Sequence, residues 1–165
     1  MVRACPGVSV SDGRIESRLA ELGLSVPLAP IPAANYIPWV RTGSLVFIAG
    51  QVPVKDGRFR WVGKLGRDYT VEQGQEAARE VALNVLSQLK TALDGDLDRV
   101  VRAVKLNGFV NSTDDFTHQP HVINGASGLM IDVFGEAGRH ARSAVGVAQL
   151  PFGVAVEIDG VFEVR

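Results

Sequence analysis

Apolar residues recur every three or four positions in three stretches of the chain, and this spacing predicts helices with one buried face. The first helix is expected over residues 12–22, with Gly23 as its C-terminal stop. The second begins at a capping box formed by Thr70 and Gln73 and continues until Gly95. Its apolar face should lie on a sheet and comprises Ala78, Val81, Ala82, Val85, Leu89 and Leu93.

A third helix is expected over residues 116–134, with residues 112–115 as its cap. Pro120 falls near the first turn of this helix, where proline is tolerated. Gly125 and Gly128 weaken its middle because glycine has a low helix propensity.

Shorter apolar runs bounded by turn residues predict strands. Residues 39–51 are expected to form a hairpin that turns at Thr42-Gly43-Ser44, and Asp56-Gly57 marks a smaller ribbon between residues 51 and 62. Apolar and polar residues alternate over residues 100–110 and predict one strand.

Two helices on one face of a mixed sheet make an α+β fold. The strands carry hydrophobic residues on both sides, so the other face is expected to be apolar and to drive homo-oligomer formation.

The last part of the chain is expected to form a hairpin from residues 142–151 and 154–158. Arg142 opens the first strand, and the small side chains Ala144, Gly146 and Ala148 on its face predict a concavity. A guanidinium group there suits bidentate capture of a carboxylate or phosphate. The alternative is a surface arginine that pairs with one of the chain's acids.

Glu157 interrupts an otherwise apolar strand. A carboxylate in such surroundings should have a raised pKa and suits a general acid or base, whereas the alternative is an edge-strand glutamate facing water. In a symmetric hairpin Arg142 would face Phe162 and Glu157 would face Val147, which offsets the two groups by about 16 Å at roughly 3.3 Å per residue. A bulge, a strong twist or a neighbouring subunit is therefore required to bring them together.

The composition is that of one globular domain, expected over residues 12–165 behind a flexible lead at residues 1–11. The chain has 165 residues, 17 Lys and Arg, 18 Asp and Glu, and a net charge of −1. Without a basic excess, nucleic acid is not an expected partner. Cys5 cannot form an internal disulfide, and no segment suits a signal peptide or a membrane span, so a cytoplasmic protein is expected. Four prolines in residues 26–38 predict an extended arm.

The histidines raise the question of a metal site. His118 and His121 lie three residues apart, and Asp114 precedes them by one turn, which resembles metal-ligand spacing. No third clear ligand follows at a matching interval, so no metal is expected. His140 is a candidate pocket residue if the strand of Arg142 begins that early.

Four blocks of sequence have a recognisable order and spacing. They are Asn35-Tyr36, residues 46–53, Phe109-Val110 with Asp115-Phe116, and residues 141–158 with Ala-Arg-Ser-Ala-Val, Leu-Pro and Val-Glu-Ile. Together they resemble the RidA/YjgF family over residues 36–165, which leaves the helix at 12–23 as an accessory element. The longer region between Phe116 and Arg142 is similar to that of a less characterised RidA-like branch.

The resemblance implies a chorismate-mutase-like α+β fold and a homotrimer with ligand sites in clefts between subunits. It also implies hydrolysis of reactive enamines and imines to 2-keto acids and ammonia, without a cofactor. On this pattern Arg142 binds the substrate carboxylate and Glu157 holds or activates the hydrolytic water. Tyr36 and Gly50 line the pocket.

Three substrate-binding positions depart from the deaminase pattern: Ala49 replaces a serine, Asp114 an asparagine and Ala144 a cysteine. The lost serine hydroxyl removes a hydrogen bond worth roughly 0.5–1.5 kcal/mol, and Asp114 would add negative charge near an anionic substrate. Two alternatives to an enamine/imine deaminase therefore stay open. One is a non-catalytic metabolite-binding or regulatory trimer, and the other is the endoribonuclease or translation inhibitor named for some relatives, against which the charge balance argues.

Overall fold

The computed structural model describes residues 13–29 and 35–165. The predicted flexible lead, Cys5 and the middle of the proline-rich arm lie outside the described residues. The helices are α1 (Arg14–Glu21), α2 (Val71–Ala92) and α3 (Gln119–Phe134). The strands are β1 (Trp39–Thr42), β2 (Leu45–Gln51), β3 (Val54–Lys55), β4 (Arg58–Phe59), β5 (Val100–Asn111), β6 (Ala141–Val147) and β7 (Val156–Val164).

Five strands form one sheet in the order β1-β2-β7-β5-β6. The pairing of β5 with β6 is parallel, and the other three pairings are antiparallel. Helix α2 packs on β2 and β7, and α3 packs on β5 and β6, so both helices cover the same face. The predicted α+β class, with two helices on one face of a mixed sheet, is confirmed. The core between the layers includes Leu86, Leu89, Leu106, Ile123, Leu129 and Phe162.

The local signals at residues 39–59 and 70–73 produce the predicted elements. Strands β1 and β2 are joined at Gly43-Ser44, where Gly43 has a positive φ. Strands β3 and β4 are joined by Asp56-Gly57, and both of these residues have a positive φ. Thr70 accepts a hydrogen bond from the Gln73 amide, and the Gln73 side chain accepts one from the Thr70 amide. These reciprocal bonds satisfy two amides at the start of α2, which is why that helix begins where the sequence predicts.

The prediction of a hairpin between the last two strands is wrong. Strand β5 lies between β6 and β7 and pairs with each of them, so the last two strands do not pair with one another. The chain enters β6 parallel to β5 after the crossover through α3, and residues 148–155 then carry it across the end of β5. Asn111 holds this connection because its side-chain amide donates to the backbone oxygen of Val154 at 3.1 Å.

Helix α3 begins at Gln119, later than predicted, and residues 112–115 are not its cap. The Thr113 amide donates to Leu65 O at 3.0 Å, and Phe116 N–H donates back to Thr113 O, so this segment forms a turn. The two central glycines do not interrupt the helix. A Cβ at Gly125 would overlap the backbone of Gln75, so glycine there permits the close approach of α3 to α2.

The accessory helix α1 is docked on the rest of the fold by a distant side chain. Asp98 accepts hydrogen bonds from the amides of Arg14 and Ile15 at 2.8 and 2.9 Å, and it therefore caps a helix more than eighty residues away. Ile15 and Leu19 are fully buried, so α1 contributes to the core.

The sheet face opposite the helices, here called the open face, is mixed rather than simply apolar. The register of the strands places both apolar and polar side chains on it. Its apolar members are Val40, Phe47, Phe109, Val145 and Val161. Its polar members include Lys105, Asn107, Ser143, Glu157, Asp159 and Glu163. The expectation of an apolar face is thus only partly met.

Candidate functional site

Arg142 lies on the helix-covered side of β6. Its register partner is the buried Leu106, and both side chains point towards α3. The Arg142 Nη1 atom donates to Asn124 Oδ1 at 2.8 Å and to Ser127 Oγ at 3.1 Å, and both acceptors are on α3. These two bonds hold one end of the guanidinium group in a defined orientation and leave its other donors for a ligand.

A histidine extends this cluster. His140 Nε2 lies 3.1 Å from Ser127 Oγ, and His140 Nδ1 lies 2.7 Å from Gly138 O. A carbonyl oxygen only accepts, so Nδ1 carries the proton and the neutral ring accepts the Ser127 hydroxyl proton at Nε2. Burial lowers the pKa of His140; the bond to Gly138 opposes this, and the charge of Arg142 lowers the pKa further.

Arg142 has no acidic partner among residues 13–29 and 35–165. The alternative of a surface arginine engaged by an acid therefore does not hold for this part of the chain. Ala144 and Gly146 follow it on the same face, and a Cβ at Gly146 would crowd Gln119 and Ser112. In the described part of the chain, Arg142 is thus a partly exposed cation without a counter-ion, in line with the small residues Ala144 and Gly146.

Glu157 lies on the open face of β7, opposite Phe109 of β5. Its carboxylate occupies the space over Gly50, where a Cβ would overlap it, and the pairing of β2 with β7 is irregular at this point. Burial raises the pKa of the Glu157 carboxyl, and the negative charge of Asp159 raises it further. The carboxylate thus has the environment of a general base or acid, as its apolar flanks predict.

Arg142 and Glu157 do not meet within one chain. Their register partners on β5, Leu106 and Phe109, are three residues apart, and two strand spacings separate β6 from β7. Sheet geometry therefore puts their Cα atoms about 14 Å apart, and the side chains point to opposite faces. The two groups are therefore too far apart for one small site, as the assumed hairpin also predicted. The physical reason is different: β5 lies between β6 and β7, and the two side chains leave opposite faces of the sheet.

The other predicted pocket residues are distributed over several places. Gly50 is beside Glu157, and the Ala49 amide donates to Pro38 O. Ala144 is on the face of Arg142, whereas Asp114 is exposed in the turn before α3. Tyr36 is 52% exposed in the segment that precedes β1. The roles assigned to these residues stay predictions.

The two histidines of the suspected metal motif are close neighbours. Their Nδ1 atoms are 3.3 Å apart, and both rings are exposed at the start of α3. Across the described ranges, three or more His, Cys, Asp or Glu side chains nowhere gather as a metal site requires.

Sequence reasoning missed Asn124 and Ser127. They lie three residues apart in α3, so one helix face presents both to β6. This spacing was a usable signal, but the side chains become a site only where that face meets Arg142.

The comparisons with known proteins agree with this architecture. A family model described as "YjgF/chorismate_mutase-like, putative endoribonuclease" matches residues 16–157. The chain is 53% identical to Protein TCP17 of Trypanosoma cruzi over 94% of its own length and 98% of the relative. It is 28% identical to the 2-iminobutanoate/2-iminopropanoate deaminase of Dermatophagoides farinae over 84% of its length and 92% of that protein.

Among solved structures, protein Atu1372 of Agrobacterium tumefaciens, described as having unknown function, is 49% identical with a TM-score of 0.86, and 92% of each chain is covered. The family model spans most of the chain, and two of these relatives exceed 30% identity over nearly their whole length. The chain therefore belongs to the RidA/YjgF family, the YjgF/chorismate-mutase-like family.

Proposed function

We propose that this protein binds a small carboxylate-bearing metabolite at Arg142 and hydrolyses imines of 2-keto acids to the keto acid and ammonia. The observation that carries the proposal is a guanidinium group oriented by Asn124 and Ser127 and lacking an acidic partner in the described part of the chain. A carboxylate supplies the planar pair of acceptors that such a group binds best. The deaminase name of one relative supports the reaction class.

The site is completed by a second copy of the chain. Glu157 of one copy would lie across a cleft from Arg142 of its neighbour, since the two groups face opposite sides of their own sheet. Strand β6 is an edge strand and brings Arg142 to the rim of the sheet, where a neighbour can approach. A homotrimer is the assembly proposed here.

The reaction needs one bound water and one carboxylate. Glu157 takes a proton from the water as its oxygen attacks the imine carbon, and this proton passes to the nitrogen to give a carbinolamine. Glu157 then takes the proton of the new hydroxyl group and passes it to the nitrogen as the carbon–nitrogen bond breaks, so ammonia leaves and the carbonyl of the keto acid forms. Arg142 holds the substrate carboxylate throughout, which fixes the distance between the imine carbon and the water.

The test uses 2-aminoacrylate produced by a serine dehydratase, an enamine that tautomerises to the imine of the keto acid. Release of keto acid is followed in the presence and absence of the protein. Arg142→Gln should lower kcat/KM by about 30-fold to 150-fold, because a charge-assisted bidentate contact contributes about 2–3 kcal/mol. The kcat/KM of Arg142→Lys should lie between those of the wild type and Arg142→Gln. Lysine keeps the positive charge but loses the planar pair of donors of the guanidinium group. Arg41→Gln, at an exposed arginine of β1, is the matched control and should keep full activity.

The second candidate function is binding of the metabolite without turnover. The alanine at position 49, where deaminases carry a serine, favours it, because Ala49 forms hydrogen bonds only through its backbone and offers no hydroxyl group to a substrate. Binding of 2-oxobutanoate with no acceleration of imine hydrolysis at any pH would select this candidate. Cleavage of RNA in the presence of a chelator and a ribonuclease inhibitor would instead select the endoribonuclease activity in the family's description.

A further inference from the structure

The hydrogen bonds around Arg142 run in one direction. Arg142 donates to Ser127 Oγ, and the Ser127 hydroxyl donates to His140 Nε2. The His140 Nδ1–H then donates to the carbonyl of Gly138. Every donor in this relay has one acceptor, so the relay is complete with His140 neutral.

Protonation of His140 reverses one step of the relay. The new Nε2–H would donate to Ser127 Oγ, and the Ser127 hydroxyl would be free to donate outward, beside Arg142. A second positive charge would also stand near the guanidinium group. Without a ligand this charge opposes that of Arg142, whereas a carboxylate bound to Arg142 offsets the repulsion.

We propose that Ser127 and His140 are positioning residues for Arg142, and that His140 takes up a proton when a carboxylate binds to Arg142. The inference rests on the carboxylate site of the proposed function but not on turnover. Linkage is reciprocal: if the ligand favours the protonated ring, the protonated ring favours the ligand by the same factor.

Other charges near His140 do not replace Arg142 in this role. Among the described residues, Arg142 is the one charged side chain whose charge shifts the pKa of the His140 ring. Four other charged side chains of the surrounding elements are engaged elsewhere or lie on the open face. They are Asp132 paired with Arg79, Glu136 paired with Arg139, Arg102 bonded to the Arg139 carbonyl, and Lys105 on the open face.

The experiment follows the His140 ring by nitrogen NMR in the full chain, with and without 2-oxobutanoate as the carboxylate. We expect the free protein to carry the ring proton on Nδ1, and 2-oxobutanoate to raise the pKa of His140. Arg142→Gln should raise the His140 pKa in the free protein and abolish its response to 2-oxobutanoate.

The affinity for 2-oxobutanoate is the second readout. It should be about fivefold tighter at about pH 5.5 than at about pH 7.5, which is the lower end of typical coupling between sites. His140→Gln should lose most of this dependence, and what remains reports Glu157, whose raised pKa also favours anion binding in acid. His121→Gln removes an exposed histidine of α3, the helix that carries Ser127, and should keep the pH dependence of the affinity.

Three results would each overturn the inference: a ring proton on Nε2 in the free protein, a His140 pKa unmoved by 2-oxobutanoate, or no binding of 2-oxobutanoate at any pH. Failure of the proposed function has a different signature. Imine hydrolysis would then be absent while 2-oxobutanoate still binds and raises the His140 pKa, which supports the relay without catalysis.

Discussion

Mixing an Arg142→Gln chain with a Glu157→Gln chain tests whether one catalytic site draws on two copies of the protein. Each variant alone should be nearly inactive, because each removes one of the two groups from every site. Within one chain the two groups lie on opposite faces of the sheet, with Cα atoms about 14 Å apart by strand geometry. A substrate with its carboxylate on Arg142 cannot reach Glu157 of the same chain.

The fraction of wild-type activity that returns on mixing can be calculated. A site works when its arginine comes from a Glu157→Gln chain and its glutamate from an Arg142→Gln chain. In an equal random mixture each condition is met half the time, so about a quarter of wild-type activity should return. The fraction is the same for any closed ring of identical chains, and it does not depend on the number of subunits.

The two chains carry different affinity tags and are refolded together. Capture of a sample through both tags verifies that mixed oligomers form, and the keto-acid assay uses the unselected mixture. A chain with both substitutions, mixed with Arg142→Gln, is the control and should recover nothing. Verified mixed oligomers without recovered activity would refute the shared site. High activity of Glu157→Gln alone would instead refute the role of the carboxylate.

Three further predictions concern stability, measured by denaturant unfolding. Gly125→Ala should lower the free energy of unfolding by about 1–3 kcal/mol, because its Cβ meets the backbone of α2. Gly128→Ala has free space for its Cβ and should raise the free energy of unfolding by up to about 1 kcal/mol. Equal effects of the two substitutions would contradict the close crossing of the helices. Asp98→Ala should cost about 1 kcal/mol or more by uncapping α1. Asp94→Asn removes a charge at a 93%-exposed side chain and keeps a residue type that tolerates the positive φ there, so it should cost little. Glu157→Gln should be slightly more stable than wild type at neutral pH, by less than about 1 kcal/mol for a half-exposed carboxyl. Burial raises the folded-state pKa of Glu157, so the stability of the wild type falls as pH rises from the ordinary pKa of a glutamate to the raised one. Below the ordinary pKa the carboxyl is neutral in both states, and the variant and the wild type should be equally stable.

Elements governed by neighbouring residues could be read from the sequence. The capping box at Thr70 and Gln73 positions the start of α2 through bonds between residues three apart. The Asp56-Gly57 turn needs two residues that tolerate positive φ, and both are present. Periodicity over residues 100–110 likewise marks β5, because alternation records which side of a strand is buried.

The predicted hairpin between the last two strands is wrong because strand pairing is not a local property. A short connection between two apolar strands resembles a hairpin, but β5 provides pairing edges on both sides, and β6 and β7 take one each. The choice is made by the α3 crossover, which delivers β6 parallel to β5. The start of α3 was misplaced for a similar reason, since Thr113 is held by the distant Leu65.

By itself, the sequence determined which residues were candidates for chemistry: Arg142 and Glu157 stand out as charges among small and apolar neighbours. Only the tertiary structure decided what surrounds them. Asn124, Ser127 and His140 gather at Arg142 because α3 lies across β6, and Glu157 faces away because β7 pairs on the far side of β5. Capping and periodicity act over a few residues. The contacts around Arg142 and Glu157 instead depend on how the whole sheet buries its apolar face, and this is decided by pairings between residues far apart in the chain.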